Sequence, residues 1–166
     1  MTRPRTIVCV RHGKSSWKTN ERDHNRPLAS RGTRDAVVAG QQLAPLHFDL
    51  ALVSPATRAR QTWQTLQMGG VSCADVRTVD ELYHAWTPEV IRVLQALPSA
   101  AHTVLVVGHE PTLSDLVLTL AAPSPLTAAV REKFPTSAIA VLTHGGAWDE
   151  LGPGSAELAA FEVPRG

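Results

Sequence analysis

Three polar segments follow apolar runs that are typical of buried strands. They are Arg11-His12-Gly13 after the run 6–10, the segment 54–62 after the run 49–53, and His109 after the run 103–108. In an open α/β sheet, side chains at the carboxyl ends of several strands build one site. Imidazole can attack phosphorus, and a guanidinium binds phosphate oxygens in a bidentate manner. Two histidines and several arginines at such positions therefore point to phosphate chemistry.

His12 has the features of a nucleophile rather than those of a surface histidine. It follows a predicted buried strand and lies between Arg11 and Gly13. A glycine lets the backbone approach a bound ligand closely. Nearby cations disfavour the imidazolium form, so we expect a lowered pKa for His12 and a free nitrogen lone pair at neutral pH.

Arg58 and His109 are both predicted to lie beside the N-terminus of a helix. The Ser-Pro pair at 54–55 is a helix start signal that places Arg58 about one turn into a helix, and Pro111 starts another helix after His109. Helix N-termini attract anions. The alternative for Arg58 is a solvated surface arginine, which is the interpretation we favour for Arg60.

Two glutamates are candidates for a proton donor. Glu81 follows the third predicted strand and can approach a leaving group from the side opposite the arginines, so we favour it. Glu110 directly follows His109 and is either a helix-terminal charge or the acid. His84 is a candidate pocket residue, although an exposed loop is an equally good interpretation for Glu81 and His84.

The elements that must position these residues alternate between strand and helix. Strands are predicted at 6–10, 49–53, 71–79, 103–107, 138–143 and 159–163, and helices at 31–46, 54–68, 87–98 and 111–120. This order predicts an α/β fold: a three-layer sandwich around a mostly parallel, doubly wound sheet, in a single domain over residues 1–166. The polar segment 13–30 is too long for a plain connection, so we expect it to be functional.

Composition narrows the classes of partner. The chain has 166 residues, 43% of them hydrophobic and 19% charged, and a net charge of +1. Such a balance gives no global field for nucleic acid or for an anionic membrane. The apolar run near the N-terminus is too short for a signal-peptide core. We therefore expect a cytoplasmic monomer without nucleic-acid or membrane partners, in which Cys9 and Cys73 are buried free thiols.

Several segments resemble the histidine phosphatase superfamily, also called the phosphoglycerate mutase-like superfamily. They are Arg11-His12-Gly13, the segment 54–62 and Gly108-His109. Three further segments resemble its small SixA-type phosphohistidine phosphatase branch: 14–17, 23–28 followed by Arg31-Gly32, and 81–85. The motifs occur in order over most of the chain, so the resemblance implies the phosphoglycerate mutase-like fold.

The resemblance also implies roles for single residues. His12 would be the nucleophile that becomes phosphorylated, and Arg11, Arg58 and His109 would form the phosphate pocket. Beside this pocket we expect Gly13, Ser15 and His84 to bind substrate and Glu81 to be the acid. No metal or cofactor is implied, and the substrate would be a phosphorylated protein or a small phosphoester. Two positions differ from the SixA-type branch. The branch commonly has alanine where Gly13 stands, a difference that we expect to be harmless. It commonly has asparagine where Glu110 stands, and this difference leaves the identity of the acid open.

Other functions remain open at this point. A small-molecule phosphomonoesterase has the same motifs, and a mutase needs extra elements for which the region of Glu81 has no room. A non-catalytic phosphate-binding module would keep Arg11 and Arg58 but has no need of His12. A metal site built from His12, His84 and His109 is opposed by the neighbouring arginines.

Overall fold

The computed structural model describes residues 3–166. In this part of the chain the strands are β1 (Arg5–Arg11), β2 (Leu50–Val53), β3 (Val76–Thr78), β4 (Thr103–Gly108), β5 (Ile139–His144) and β6 (Ala156–Glu162). The helices are α1 (Ser30–Leu43), α2 (Thr57–Met68), α3 (Glu81–His84), α4 (Thr87–Gln95), α5 (Thr112–Leu120) and α6 (Pro125–Glu132). Short 3-10 turns lie at Asp23–Asn25 and Trp148–Glu150.

The strands form one mixed sheet in the order β3-β2-β4-β1-β5-β6. The first four strands of this order are parallel to one another, whereas β5 and β6 run antiparallel to their neighbours. The central strand β1 is buried on both faces: Ile7 and Cys9 belong to one core, Val8 and Val10 to the other. Helices α1 and α2 cover one face and α4 and α5 the other, so the predicted three-layer α/β sandwich is confirmed.

The parallel register brings the three polar segments to one edge of the sheet. Strand β4 lies between β1 and β2, with Arg11 opposite Gly108 and Val53 opposite Val107. The ladders continue one residue further, since the His12 amide donates to the Gly108 carbonyl at 3.0 Å and the Ser54 amide to the Val107 carbonyl at 3.1 Å. The residues that follow all three strands are therefore neighbours, as the sequence predicts.

The third strand is shorter than predicted. Only 76–78 pair with β2, at the edge of the sheet, and all three residues are exposed. The segment 71–75 is not part of the strand, although the Asp75 carbonyl still accepts from the Ala51 amide at 2.9 Å. Val71 packs into the core beside α2, and Cys73 is half-buried and not buried as expected. An edge strand has a partner on one side only, so fewer of its residues are held extended.

Two helices were missed by the sequence pattern. Helix α6 begins at Pro125, in a segment for which no helix is predicted, because Ser124 and Thr127 form a reciprocal capping box. Helix α3 is a single turn of four residues, too short for hydrophobic periodicity to detect. Within residues 3–166, no helix combines the length and apolar character needed to cross a membrane.

Candidate active site

His12 is buried at the end of β1, with 6% of its surface exposed. Its Nδ1 lies 2.7 Å from the carbonyl oxygen of Gly13. A carbonyl can only accept, so Nδ1 carries the proton and donates it. The other ring nitrogen, Nε2, is left with its lone pair, which is the tautomer a nucleophilic imidazole needs.

The surroundings of His12 keep the ring neutral. Burial is the main cause that lowers its pKa from 6.5 to about 4, and the charges of Arg58, Arg11 and Arg26 lower it further. The hydrogen bond to Gly13 opposes this shift but does not cancel it. The lowered pKa expected from the sequence is confirmed, with desolvation contributing more than the cations on which that expectation rested.

His109 lies beside His12, with 5.0 Å between the ring centroids. Its Nε2 is 2.7 Å from the Ser54 hydroxyl, and its Nδ1 is buried without a hydrogen-bond partner in residues 3–166. Burial, followed by the neighbouring His12 and Arg58, lowers the pKa of His109 to about 3. His109 is therefore neutral at pH 7 in the unliganded site, and an arriving anion would favour its protonated form.

The helix predicted to start at Ser54 starts three residues later. Helix α2 begins at Thr57, with Ala56 as its N-cap residue. The Ser54 hydroxyl instead contacts His109 and, at 3.3 Å, accepts from the Ala56 amide. Because the helix starts later than expected, Arg58 is its second residue and lies closer to the helix N-terminus than the sequence indicated.

Arg58 and Arg11 reach the site from different elements. The guanidinium of Arg58 is buried and donates to the backbone oxygen of Asp23 at 2.7 Å and to its Oδ2 at 3.1 Å. Arg11, at the end of β1, donates to the Phe134 carbonyl at 3.0 Å. Arg60, two residues after Arg58, is exposed as expected.

The long loop 13–30 contributes a further arginine that sequence reasoning did not assign to the site. Arg26 is buried and donates to the Ser15 hydroxyl and, at 3.1 Å, to Asp23 Oδ1. Asp23 also accepts from the Tyr83 hydroxyl at 2.8 Å. The signal in the sequence is the arginine inside the segment 23–28, one of the segments that resemble the SixA-type branch.

Asp23 is a carboxylate shared by two guanidiniums. Although partial desolvation raises its pKa, hydrogen bonds from Tyr83, Arg26 and Arg58 lower it to about 2. Asp23 is therefore ionised at neutral pH and pairs with Arg26 and Arg58 in the unliganded site. The same donors suit phosphate oxygens, so an incoming phosphoryl group has to compete with this carboxylate.

Gly13, at the start of the long loop, contacts α2 and α1 through its backbone. Its amide donates to Thr62 Oγ1 at 3.0 Å, and that hydroxyl donates to the Arg58 carbonyl at 2.7 Å. A Cβ on Gly13 would lie 2.7 Å from the Gly32 carbonyl oxygen, so the loop packs backbone to backbone against α1. These contacts couple the position of His12 to that of Arg58.

The two candidate acids have different surroundings. The Glu110 carboxylate accepts from the Ser114 amide at 2.7 Å and from its hydroxyl at 2.6 Å, so it serves the first turn of α5. Glu81 is the first residue of α3 and is partly exposed. Helix α3 borders the site, because the Tyr83 ring lies 5.6 Å from that of His109. His84, at the end of α3, is exposed, 6.1 Å from the Tyr83 ring.

The family model described as histidine phosphatase superfamily (branch 1) matches residues 7–151 of this chain. The chain belongs to the histidine phosphatase superfamily. The uncharacterized protein Rv1276c of Mycobacterium tuberculosis is 46% identical over 162 residues, which cover 94% of this chain and 100% of that protein. The motifs that resemble the superfamily thus lie in a chain most of which matches the model of that superfamily.

Solved structures of the superfamily match the whole fold. The SixA protein of Nakamurella multipartitia, which is assigned as a phosphohistidine phosphatase, has a TM-score of 0.88 and 35% identity and covers 98% of each chain. The protein histidine phosphatase SixA in complex with tungstate has a TM-score of 0.80 and 25% identity, over 96% of this chain and 97% of that chain. The resemblance to the SixA branch is confirmed.

The buried neutral histidines predict that the protein loses stability in acid. Below pH 6.5 the unfolded chain binds a proton at each of these histidines, whereas folded His12 stays neutral to about pH 4 and folded His109 to about pH 3. The unfolded state then binds more protons, so the free energy of unfolding falls as pH drops through this window. Urea unfolding between pH 4 and 7 measures the slope. A His12→Asn/His109→Asn variant should show a shallower slope.

The control for this experiment is His47→Asn, because 84% of the His47 side chain is exposed. This variant should keep the slope of the parent protein. An equal slope in the parent and the double variant would contradict the assignment of buried, neutral rings.

Proposed function

We propose that this protein is a metal-independent phosphatase that uses His12 as its nucleophile and passes through a phosphohistidine intermediate. The observation that carries the proposal is the tautomer of His12, whose Nδ1 donates to the Gly13 carbonyl and leaves the Nε2 lone pair free. The guanidiniums of Arg58, Arg11 and Arg26 are close enough to lower the pKa of this ring. A neutral imidazole among cations suits attack on a phosphate anion.

In the first step Nε2 of His12 attacks phosphorus. The new P–N bond forms as the bond to the leaving group breaks, and the leaving group takes the electron pair. Its proton comes from Glu81 if that residue is the acid, and otherwise from water. The arginines and His109, in its protonated form, stabilise the negative charge on the equatorial oxygens. Binding of the phosphoryl group displaces the Asp23 carboxylate from Arg58 and Arg26, because both anions use the same donors.

In the second step water attacks the phosphohistidine. A P–O bond forms, the P–N bond to His12 breaks, inorganic phosphate leaves and His12 returns to its neutral state. The reaction needs no Lewis acid in this scheme, since side-chain cations supply the positive charge. Within residues 3–166, no group of three or more His, Cys, Asp or Glu residues is arranged to hold a metal ion.

The substrate we propose is a phosphohistidine carried by a protein. The similarity to SixA proteins over 96–98% of the chain supports this choice. Imidazole is a good leaving group, so phosphohistidine needs little help from an acid. The Glu110 carboxylate is already engaged by Ser114, so a substrate that needs little help from an acid suits this site.

A substrate panel tests the proposal. Purified protein is incubated with phosphohistidine proteins, sugar phosphates, nucleotides and p-nitrophenyl phosphate. Phosphate release is measured without an inhibitor, in the presence of vanadate and in the presence of a chelator. We expect turnover of phosphohistidine that vanadate inhibits and the chelator does not. Loss of activity with the chelator would contradict the metal-independent mechanism. Turnover of sugar phosphates or nucleotides but not of phosphohistidine would contradict the proposed substrate.

The role of Glu81 can be tested with substrates that differ in their leaving group. If Glu81 is the general acid, Glu81→Gln should slow alkyl phosphate hydrolysis by about 10²-fold and barely affect phosphohistidine or an aryl phosphate, because only an alkoxide needs the proton in the transition state. Steady-state rates on the three substrates measure this pattern. Glu110→Gln is the matched control, and the same pattern in that variant would reverse the two roles. If neither variant shows it, the site has no dedicated acid.

A further inference from the structure

A cavity of about 510 Å³ lies beside the proposed phosphate site. Its walls are the segments 14–19 and 27–30, which belong to the long loop and the start of α1. An antiparallel bridge between Ser15 and Leu28 joins the two walls. The cavity is a feature that the proposed chemistry at His12 does not use.

Trp17 lines this cavity and is left in solvent, with 75% of its surface exposed. Its ring covers the guanidinium of Arg26, with 3.7 Å between Cζ and the ring centroid. A guanidinium stacked in this way is stabilised by a cation–π interaction. A large aromatic ring held in one place at the surface offers a rigid platform to a partner.

Arg26 connects the cavity to the phosphate site. It lies under Trp17 and donates to Ser15 and Asp23, and Asp23 in turn accepts from Arg58. Two residues that line the cavity, Trp17 and Ser15, therefore contact a guanidinium of the site directly. One ligand can occupy both places if a short stretch of chain joins them.

The cavity is also positively charged. Lys14 and Lys18 line it, and both are exposed. The ion pairs found in residues 3–166 all involve other cations, so neither ammonium is neutralised by a described carboxylate. The chain has only three lysines and a net charge of +1, so this pair is a local concentration of charge. It complements an acidic partner.

We infer that this cavity docks an acidic stretch of the polypeptide that carries the phosphorylated residue. The two lysines pair with its carboxylates, and Trp17 and the apolar wall at 27–29 pack against its backbone and aliphatic groups. The inference rests on the proposed function, since it assigns the second half of a substrate whose phosphoryl group lies at His12. A bare phosphoester fills only the site at His12 and leaves this cavity without an occupant.

Matched peptides test the inference. Two phosphohistidine peptides are compared, one flanked by Asp and Glu and one by the neutral isosteres Asn and Gln, and kcat/KM is measured from phosphate release. We expect the acidic peptide to be preferred about fivefold at 50 mM salt and less at 200 mM, as screened ion pairs of modest strength require. The preference is taken as a ratio within each variant, so an effect on the chemical step cancels.

The variants assign the preference to the cavity. Lys14→Gln/Lys18→Gln should bring the ratio close to one, and Trp17→Ala should raise KM for both peptides. The control is Arg92→Gln on α4, an exposed cation away from the loop, which should keep the parent ratio. A parent ratio near one, or a ratio that survives in the lysine variant, would overturn the inference.

Two further outcomes separate the inference from the proposed function. If p-nitrophenyl phosphate or nucleotides are hydrolysed but neither peptide is, the polypeptide occupant is wrong while the phosphatase stands. If no substrate is hydrolysed, the proposed function is wrong. The docking surface is then tested separately by measuring the binding of labelled, unphosphorylated peptides by fluorescence anisotropy. Lysine-dependent preference for the acidic peptide in that measurement supports it, and equal binding of both overturns it.

Discussion

Replacing His12 with alanine is expected to abolish turnover, with a loss in kcat of at least about 10³-fold, because the variant has no nitrogen to form the P–N bond. The neighbouring arginines bind the phosphoryl group but cannot replace the nucleophile. Single-turnover assays with a labelled phosphohistidine substrate measure the loss. In the parent protein, rapid acid-free quenching should trap label on His12 as an acid-labile, alkali-stable adduct.

His47→Ala is the matched control for this loss. It removes a histidine whose side chain is 84% exposed, so it should keep parent activity. Circular dichroism and urea unfolding of His12→Ala establish that the fold is retained. Activity near the parent level in a folded His12→Ala protein, or label trapped at another residue, would refute the role of His12.

Replacing Arg58 with alanine is expected to lower kcat/KM by about 10²- to 10³-fold. The variant loses a buried guanidinium at the N-terminal turn of α2, where phosphate oxygens gain both a bidentate partner and the helix dipole. It also leaves the Asp23 carboxylate with one cation fewer, so its charge repels the phosphoryl group. Arg58→Lys should restore little, because an ammonium lacks the planar fork.

Arg60→Ala is the control on the same helix. Arg60 is exposed and donates to Pro55 and Thr57, so its loss should change kcat/KM less than twofold. If the repulsion from Asp23 contributes, Arg58→Ala/Asp23→Asn should recover part of the activity. Equal effects of Arg58→Ala and Arg60→Ala would show that Arg58 does not bind the phosphoryl group.

The residues at the strand ends were predictable because two local rules converge on them. Apolar, β-branched runs such as 6–10 and 103–107 form buried parallel strands, and polar residues that follow such strands meet at one edge. His12, His109 and Arg58 could therefore be grouped before any coordinates. The direction of the pKa shift of His12 was also predictable, although burial and not the neighbouring cations is its main cause. The family motifs agreed with the roles of nucleophile and phosphate ligand that residue chemistry already suggested for His12 and the arginines.

The limits of several elements were less predictable. The segment 71–79 has a strand-like composition, yet only 76–78 pair, because the number of neighbours a strand finds is decided by the sheet. Pro125 is the first residue of α6, a helix that the sequence pattern does not predict, since its cap depends on reciprocal hydrogen bonds between Ser124 and Thr127. Propensity alone does not distinguish these outcomes.

By itself, the sequence determined the α/β class, the strands that end in reactive side chains and the identity of the two histidines. Only the tertiary structure decided how the loop 13–30 folds back, which places Arg26 and Asp23 beside Arg58. It also decided that Ser54 contacts His109 and that Glu110 turns to Ser114. The physical reason is that strand position follows from local hydrophobic pattern, whereas the partner of a polar loop side chain depends on contacts between residues far apart in the chain.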